Sequence, residues 1–388
     1  MARGLLIAFL LSFGPIVANS FARFAYALVL PAMRGDLGWT WAQAGWLNTA
    51  SSAGYLAGAV LVRLLVVRVG NRALFQAGMV LTALAILATG LTRDFDLLSL
   101  TRFVAGVCSA SVFICGGALA ANVLPSRPEL ATTFIGVFFG ASGVGLILSG
   151  VGIPLLLEAR GDASWPVVWV AMGAASLAMA VGSAWAASRT PEPGSAQGDA
   201  QWRLAPFVAH LLGYLMFAVG YIGYMTFVIA WMRDLGASTA GVIAMWSTLG
   251  LATVLAPFLW RGPFDRWRGG RPMAAALGCL SAGALIPLLT AEPAWMLASA
   301  ALFGVGMFSV PSSVTVLIKH GLPKPAWGSA MATFTIVFGF GQVIGPIGTG
   351  WLADLTGSLR PGLSASVAVL LAGALIALLQ KDPREARR

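Results

Sequence analysis

Two arginines stand where apolar sequence leaves no ordinary place for charge. Arg23 and Arg102 each lie inside a long hydrophobic run. A guanidinium offers a planar fork that matches a carboxylate or a phosphate bidentately. An ionised side chain deep in a hydrophobic span costs on the order of 2.5–3.5 kcal/mol by insertion scales, and it usually faces a cavity. None of the fourteen acidic residues falls in the middle of such a run. Asp36, Asp94 and Asp96 flank run ends and could only reach inward. The compensating charge is therefore expected to come from a bound solute, a small organic anion. The plainer alternative has Arg23 extending outward to the interface and Arg102 bonding helix carbonyls as a packing residue.

A second group occupies one later run. His210, Tyr214, Phe217, Tyr221 and Tyr224 recur at spacings of 4, 3, 4 and 3, which places them on one face of a helix. Tyr224 fits an interfacial aromatic belt. Tyr214 and Tyr221 lie too deep for that and need hydroxyl partners. An aromatic packing stripe is the competing reading. Asn19 and Tyr26 beside Arg23, and Ser312 in a later run, complete the candidate binding set. Ser309 and Thr315 are weaker, because Ser and Thr commonly bond their own helix. His210 is the group inside a run that titrates near physiological pH, so it is the candidate for ion coupling, with packing as its alternative.

An enzyme would need a nucleophile–base pair, metal ligands or paired acids. With two histidines and no acid inside a run, no catalytic residue, metal site or cofactor is expected. Cys108, Cys115 and Cys279 fall within apolar runs and read as small buried hydrophobes.

The elements that carry these residues are long. Twelve apolar runs pass between clusters of charge, and ten contain no Asp, Glu, Lys or Arg. Each is about 20 to 30 residues, the length a helix needs to cross roughly 30 Å of hydrocarbon. Of 388 residues, 58% are hydrophobic and 10% charged, which leaves no room for a soluble domain. Backbone groups in lipid must be satisfied internally, so the choice is helices or a closed barrel. The runs are continuous rather than alternating, so an all-α polytopic membrane protein is expected. Approximate spans are 5–30, 43–66, 73–91, 97–121, 132–156, 165–186, 206–231, 240–260, 272–290, 294–318, 327–352 and 361–379. Arg23 then lies about 9 Å beyond the middle of span 1, and Arg102 at about 10 Å on the same side in span 4.

The net charge of +10 is unevenly placed. Odd-numbered loops carry five basic residues, while the termini and even-numbered loops carry seventeen. This positive-inside bias puts both termini in the cytoplasm. It accounts for the basic balance without a nucleic-acid partner. Met1 to Ser20 imitates a signal peptide, but the apolar character continues through Leu30, so cleavage is not expected.

Ser188 to Arg203 is polar and rich in Pro, Gly and Ala, and reads as a flexible cytoplasmic linker. It separates a six-helix unit at 1–187 from another at 206–388, with 188–205 between them. Phe139-Gly140 reappears as Phe338-Gly339, and Arg72 as Arg271, both at an offset of 199. A duplicated unit places a substrate site at the interface of the halves, near the bilayer midplane. Glycine runs in spans 5 and 11 are expected to let helices approach and rock. The chain is expected to act as a monomer in the lipid bilayer.

Six plus six spans around a central linker resemble the major facilitator superfamily. The loop after span 2, Val67-Arg68-Val69-Gly70-Asn71-Arg72, resembles that family's Asp-Arg-x-Gly-Arg motif without its acid. The second half keeps Asp265-Arg266-Trp267. The resemblance makes Arg68, Arg72, Asp265 and Arg266 candidates for gating. Arg102-Phe103-Val104-Ala105-Gly106 looks like the family's Arg-x-x-x-Gly motif. With Arg23-Phe24-Ala25-Tyr26, Gln43-Ala44-Gly45-Trp46, Gly54-Tyr55-Leu56-Ala57-Gly58 and Gly341-Gln342-Val343-Ile344-Gly345-Pro346, the chain is similar to the YbfB/YjiJ-type branch. The resemblance implies helices 1, 4, 7 and 10 around a central cavity, and secondary transport in a bacterial inner membrane. An exporter of amphipathic compounds, with Met216, Met225, Met245 and Met307 as an adaptable surface, is the second reading.

Overall fold

Twelve helices long and apolar enough to cross a membrane make up nearly the whole chain. The computed structural model describes residues 2–194 and 202–383, and no strand occurs among them. In order, spans 1 to 6 are Arg3–Leu37, Trp41–Val69, Asn71–Thr89, Phe95–Ala121, Pro128–Arg160 and Asp162–Arg189. Spans 7 to 12 are Ala205–Asp234, Thr239–Arg266, Arg271–Leu289, Pro293–Gly321, Lys324–Thr356 and Leu359–Leu378. The side that carries Arg3 and Pro383 is called here the near face, and the opposite side the far face.

Several spans run past their apolar cores because polar caps extend them. Thr40 and Gln43 form a reciprocal capping box at the start of span 2, Asp94 accepts from the Leu97 N–H, and Ser238 accepts from the Gly241 N–H. Span 1 continues to Leu37 and stops at Gly38, whose φ of 66° suits a residue without Cβ. Arg23 reaches Ser52 of span 2, and Gly54, two residues on, packs against Phe103, the neighbour of Arg102, so both arginines lie beside the same stretch of span 2.

Two spans are irregular. Ile16–Phe24 within span 1 form a π-helix, in which the Ala25 N–H reaches back to the Ser20 carbonyl at 2.7 Å. Such widened turns occur mostly as short insertions and often at functional sites. Span 10 breaks at Phe308, between Pro293–Met307 and Ser309–Gly321. Pro311 lacks an N–H, and its ring crowds the carbonyl four residues earlier.

Packing repeats between the halves. Span 2 packs on span 4, and span 3 on spans 4 and 6; spans 8, 9, 10 and 12 repeat the same pairings. Across the halves, span 2 packs on span 11, span 5 on span 8, and the far part of span 1 on span 7. Small residues set these approaches. A Cβ on Gly45 would strike the Pro346 carbonyl, and Gly143 and Gly250 each face the other's carbonyl oxygen. On the near side of the same helices, Gly136, Gly140 and Gly328 have nothing within 4 Å of where a Cβ would stand. The close approaches at Gly45, Gly143 and Gly250 thus join the halves in the middle and far parts of these spans.

The segment expected to be a flexible linker is in part anchored. Ser188 and Arg189 complete span 6. The Glu192 carboxylate accepts from the Asn71 N–H and, at 3.2 Å, from the Arg72 N–H. Arg72 donates to the Thr190 carbonyl at 2.8 Å, and Asn122 to the Pro191 carbonyl at 2.9 Å. The unpaired N–H groups that begin span 3 need an acceptor and favour negative charge. Glu192 supplies the acid missing at Val67. Residues 195–201 lie outside the described residues.

Candidate functional site

Arg23 stands in the last turn of the π-helical segment, 7% exposed. One guanidinium nitrogen, Nη2, donates to the Ser52 hydroxyl of span 2 at 3.3 Å. The guanidinium carbon lies 5.6 Å from the Tyr55 ring centroid and 6.0 Å from that of Phe24. Its Nε has no partner. From the second half, Tyr221 of span 7 stands close enough for the arginine charge to act on its hydroxyl, as it does on that of Tyr55. Tyr214 lies within electrostatic reach of Tyr55 and Tyr221.

Gln342 of span 11, fully buried, donates from Nε2 to the Tyr221 hydroxyl at 2.7 Å, and its Oε1 has no partner. One turn from Ser52 toward the far face, Asn48 donates to the Thr226 hydroxyl at 2.6 Å, and its Oδ1 has no partner. Arginine, amides and phenols from both halves therefore converge around Arg23. Beside them the rings form a wall. Tyr214 and Phe338 stack at 5.0 Å, and Phe217 and Tyr221 at 4.6 Å, each with planes 16° apart. Phe338 and Tyr55 are half-buried.

Arg102 lies within electrostatic reach of Arg23 but has different neighbours. It is fully buried, with its guanidinium carbon 5.3 Å from the Tyr26 ring and 5.0 Å from the Trp169 ring. None of its three guanidinium nitrogens has a hydrogen-bond partner. Two aromatic faces rather than helix carbonyls hold this cation. Asp36, the acid nearest to serving as counter-charge, is committed at the far face to Arg93 at 2.9 Å and to the Trp165 indole at 2.8 Å. Among the described residues no carboxylate pairs with Arg23 or Arg102.

The remaining expected residues scatter. Tyr26 donates to the Ala44 carbonyl at 2.6 Å and lies beside Arg102. Asn19 donates to the Ser142 hydroxyl at 3.4 Å. The stripe on span 7 divides among neighbours, His210 to Phe334 at 6.0 Å and Tyr224 to Phe303 at 4.7 Å. Tyr224 is fully buried, not at an interface. His210 is also fully buried, with neither ring nitrogen partnered. Ser312 is exposed and bonds its own helix at the Phe308 carbonyl, 2.9 Å away. At the near face, Arg68, Asp265 and Arg266 are exposed, while Arg72 is tied to Thr190.

Sequence reasoning passed over Ser52, Asn48, Tyr55 and Thr226 as site residues, and took Gln342 only as part of a motif. Their signal was present. Asn48 and Gln342 are amides inside apolar runs, and such groups seek partners. Among the described residues no group of three His, Cys, Asp or Glu could hold a metal ion.

Residues 16–378 match the family described as "Uncharacterised MFS-type transporter YbfB". An uncharacterized MFS-type transporter of Mycobacterium tuberculosis (strain H37Rv) is 26% identical over 378 residues, which is 96% of this chain and 49% of the relative. The chain thus spans about half the length of the curated relatives it matches. Among solved structures, a bacterial homolog to the human lysosomal transporter Spinster superposes with a TM-score of 0.71 at 16% identity, covering 98% of this chain and 96% of that one. The nucleoside transporter NupG gives 0.72 at 13% identity, covering 98% and 97%. At such identities the likeness is one of fold.

Proposed function

This chain belongs to the major facilitator superfamily, in the branch described as uncharacterised YbfB-type transporters, and from that premise we propose that it carries a small organic anion by alternating access. The observation that supports this most is Arg23. It is a buried cation at the junction of the halves, without a carboxylate partner and with Nε unpaired. A carboxylate on the solute would supply both the missing charge and the missing acceptor. Tyr221 and Gln342 face it from the second half. Binding would therefore draw the two halves together.

The units that rock are 1–187 and 206–388, joined by the segment 188–205. The positive-inside bias makes the near face cytoplasmic, in a bacterial inner membrane. With no acid beside Arg23, an electroneutral cycle fits best, the proton travelling on the solute or the solute exchanging for another anion. His210 lies under Phe334, away from Arg23, which favours a packing role. Of the methionines in the exporter reading, Met225, Met245 and Met307 are at most 1% exposed, while Met216 is half-buried.

The test is a thermal-shift screen of the purified chain against carboxylates, phosphates and neutral drug-like compounds, followed by uptake into proteoliposomes. A bound anion should stabilise most at low salt, since partly solvated ion pairs are screened. Arg23→Lys keeps the charge but loses the fork, so it should impair transport, and Arg23→Gln should abolish it. Wild-type uptake of a confirmed substrate by Arg23→Gln would overturn the proposal.

A further inference from the structure

We propose that the anion held at Arg23 carries a hydrogen-bond donor next to its carboxylate and a flat apolar group beyond it. The class is an aryl-substituted 2-hydroxy or 2-amino carboxylate. The inference rests on the anion reading above and narrows it.

The donors of the site suit a carboxylate. Arg23 offers Nε, which has no partner, and Nη2, whose bond to Ser52 is long at 3.3 Å. The Tyr221 oxygen accepts from Gln342, which leaves its own O–H to donate. A carboxylate alone, however, would leave two acceptors without partners. Gln342 Oε1 belongs to a fully buried side chain, and Asn48 Oδ1 to one 3% exposed. Both amides are fixed through their nitrogens, to Tyr221 at 2.7 Å and to Thr226 at 2.6 Å. The Thr226 hydroxyl already donates to the Ile222 carbonyl at 2.6 Å, so Asn48 Oδ1 stays an acceptor, as does Gln342 Oε1 while its nitrogen donates to Tyr221. The chain neighbours of the two amides meet across the halves, the Thr49 hydroxyl donating to the Val343 carbonyl at 2.9 Å, and each amide is one partner removed from Arg23, Gln342 by way of Tyr221 and Asn48 one turn along from Ser52. Buried acceptors are normally paired, and a ligand hydroxyl or ammonium beside the carboxylate would pair them.

The aromatic residues set the rest of the ligand. Leu56 packs on Gly339, and because spans 2 and 11 run antiparallel their chain neighbours Tyr55 and Phe338 stand within about 3 Å of one level. Both are half-buried, whereas the rings behind Phe338, Tyr214 and Tyr221, are at most 7% exposed. A flat ring extending from the carboxylate would stack on these two faces.

The experiment uses the purified full chain and four probes, measured by calorimetry and thermal shift. These are 3-phenyllactate, phenylalanine, 3-phenylpropionate and lactate. Phenylpropionate lacks only the donor, and lactate only the ring. An unpaired buried acceptor weakens binding by about 5- to 150-fold, the equivalent of ~1–3 kcal/mol. At least one donor-bearing aryl acid should therefore bind at least about 5-fold more tightly than phenylpropionate, and phenyllactate more tightly than lactate. In Gln342→Met, the gap in affinity between the donor-bearing acids and phenylpropionate should shrink, whatever the change in carboxylate binding common to all the probes. Should that variant not fold, the matched probes on the unaltered protein still decide. Equal binding with and without the donor overturns the inference and leaves the anion reading standing. Lactate binding as tightly as phenyllactate overturns its aromatic half. If no acid binds, the anion reading falls and this inference falls with it.

Discussion

Removing the Asp354 carboxylate should loosen the far face. Asp354 of span 11 accepts from the Trp41 N–H at 2.7 Å and the Ala42 N–H at 2.8 Å, the first groups of span 2 in the other half. Helix-initial N–H groups have no partner within their own helix, and the positive end of the dipole favours an anion. Both groups are exposed, so each bond contributes about 0.3–1 kcal/mol, and the pair about 0.6–2 kcal/mol. Thr40 still caps span 2 through the Gln43 N–H, so the helix itself should survive. The stacking of Arg34 on Trp41 at 3.6 Å and the packing of Gly45 on Pro346 also remain. Asp354→Ala should therefore raise the far-open population by about 3- to 30-fold, and Asp354→Asn by less, because one acceptor oxygen is kept. Spin labels at Leu91→Cys and Leu289→Cys, on exposed far-face turns, would report this as a second, longer distance. The background would carry alanine at Cys108, Cys115 and Cys279. An unchanged distance distribution in a folded Asp354→Ala protein would refute the assignment of Asp354 as a latch between the halves.

Three further outcomes are expected. Gly106→Val should lower the melting temperature in scanning fluorimetry, because its Cβ would collide with the Ser51 carbonyl; overpacking of this kind costs about 1–3 kcal/mol. Arg102→Met should keep or raise that temperature and leave ligand binding at Arg23 largely intact, since a buried charge without hydrogen-bond partners is replaced by an apolar chain of similar length; loss of binding would return Arg102 to the site. Cysteine placed at Gly161, on a far-face turn, should react with an impermeant reagent applied outside cells, and one at Arg127, on a near-face turn, should not; the reverse pattern would invert the orientation. Ala196, a natural partner for that labelling, lies outside the described residues.

Hydrophobic length and the placement of charge are local properties, and they were enough to read twelve helices, their order and an expected orientation. They were also enough to single out Arg23, because a charge inside an apolar run is visible without knowing its neighbours. They treated Arg102 as its equal. Only packing separated the two, enclosing Arg102 between Tyr26 and Trp169 while Arg23 met Tyr55 and the second half. The stripe on span 7 was legible as a face, but not that its members would part toward Phe334, Phe338 and Phe303. The π-helical turn that positions Arg23 left no mark in composition. Glu192 looked like linker because its partners, the first N–H groups of span 3, lie more than a hundred residues earlier. Gln342 and Tyr221 are 121 residues apart, and Asn48 and Thr226 are 178 apart. Periodicity decides which face a side chain occupies. Which acceptor it meets depends on how helices from distant parts of the chain are brought together, and close approaches at glycines such as Gly45 and Gly339 set that arrangement.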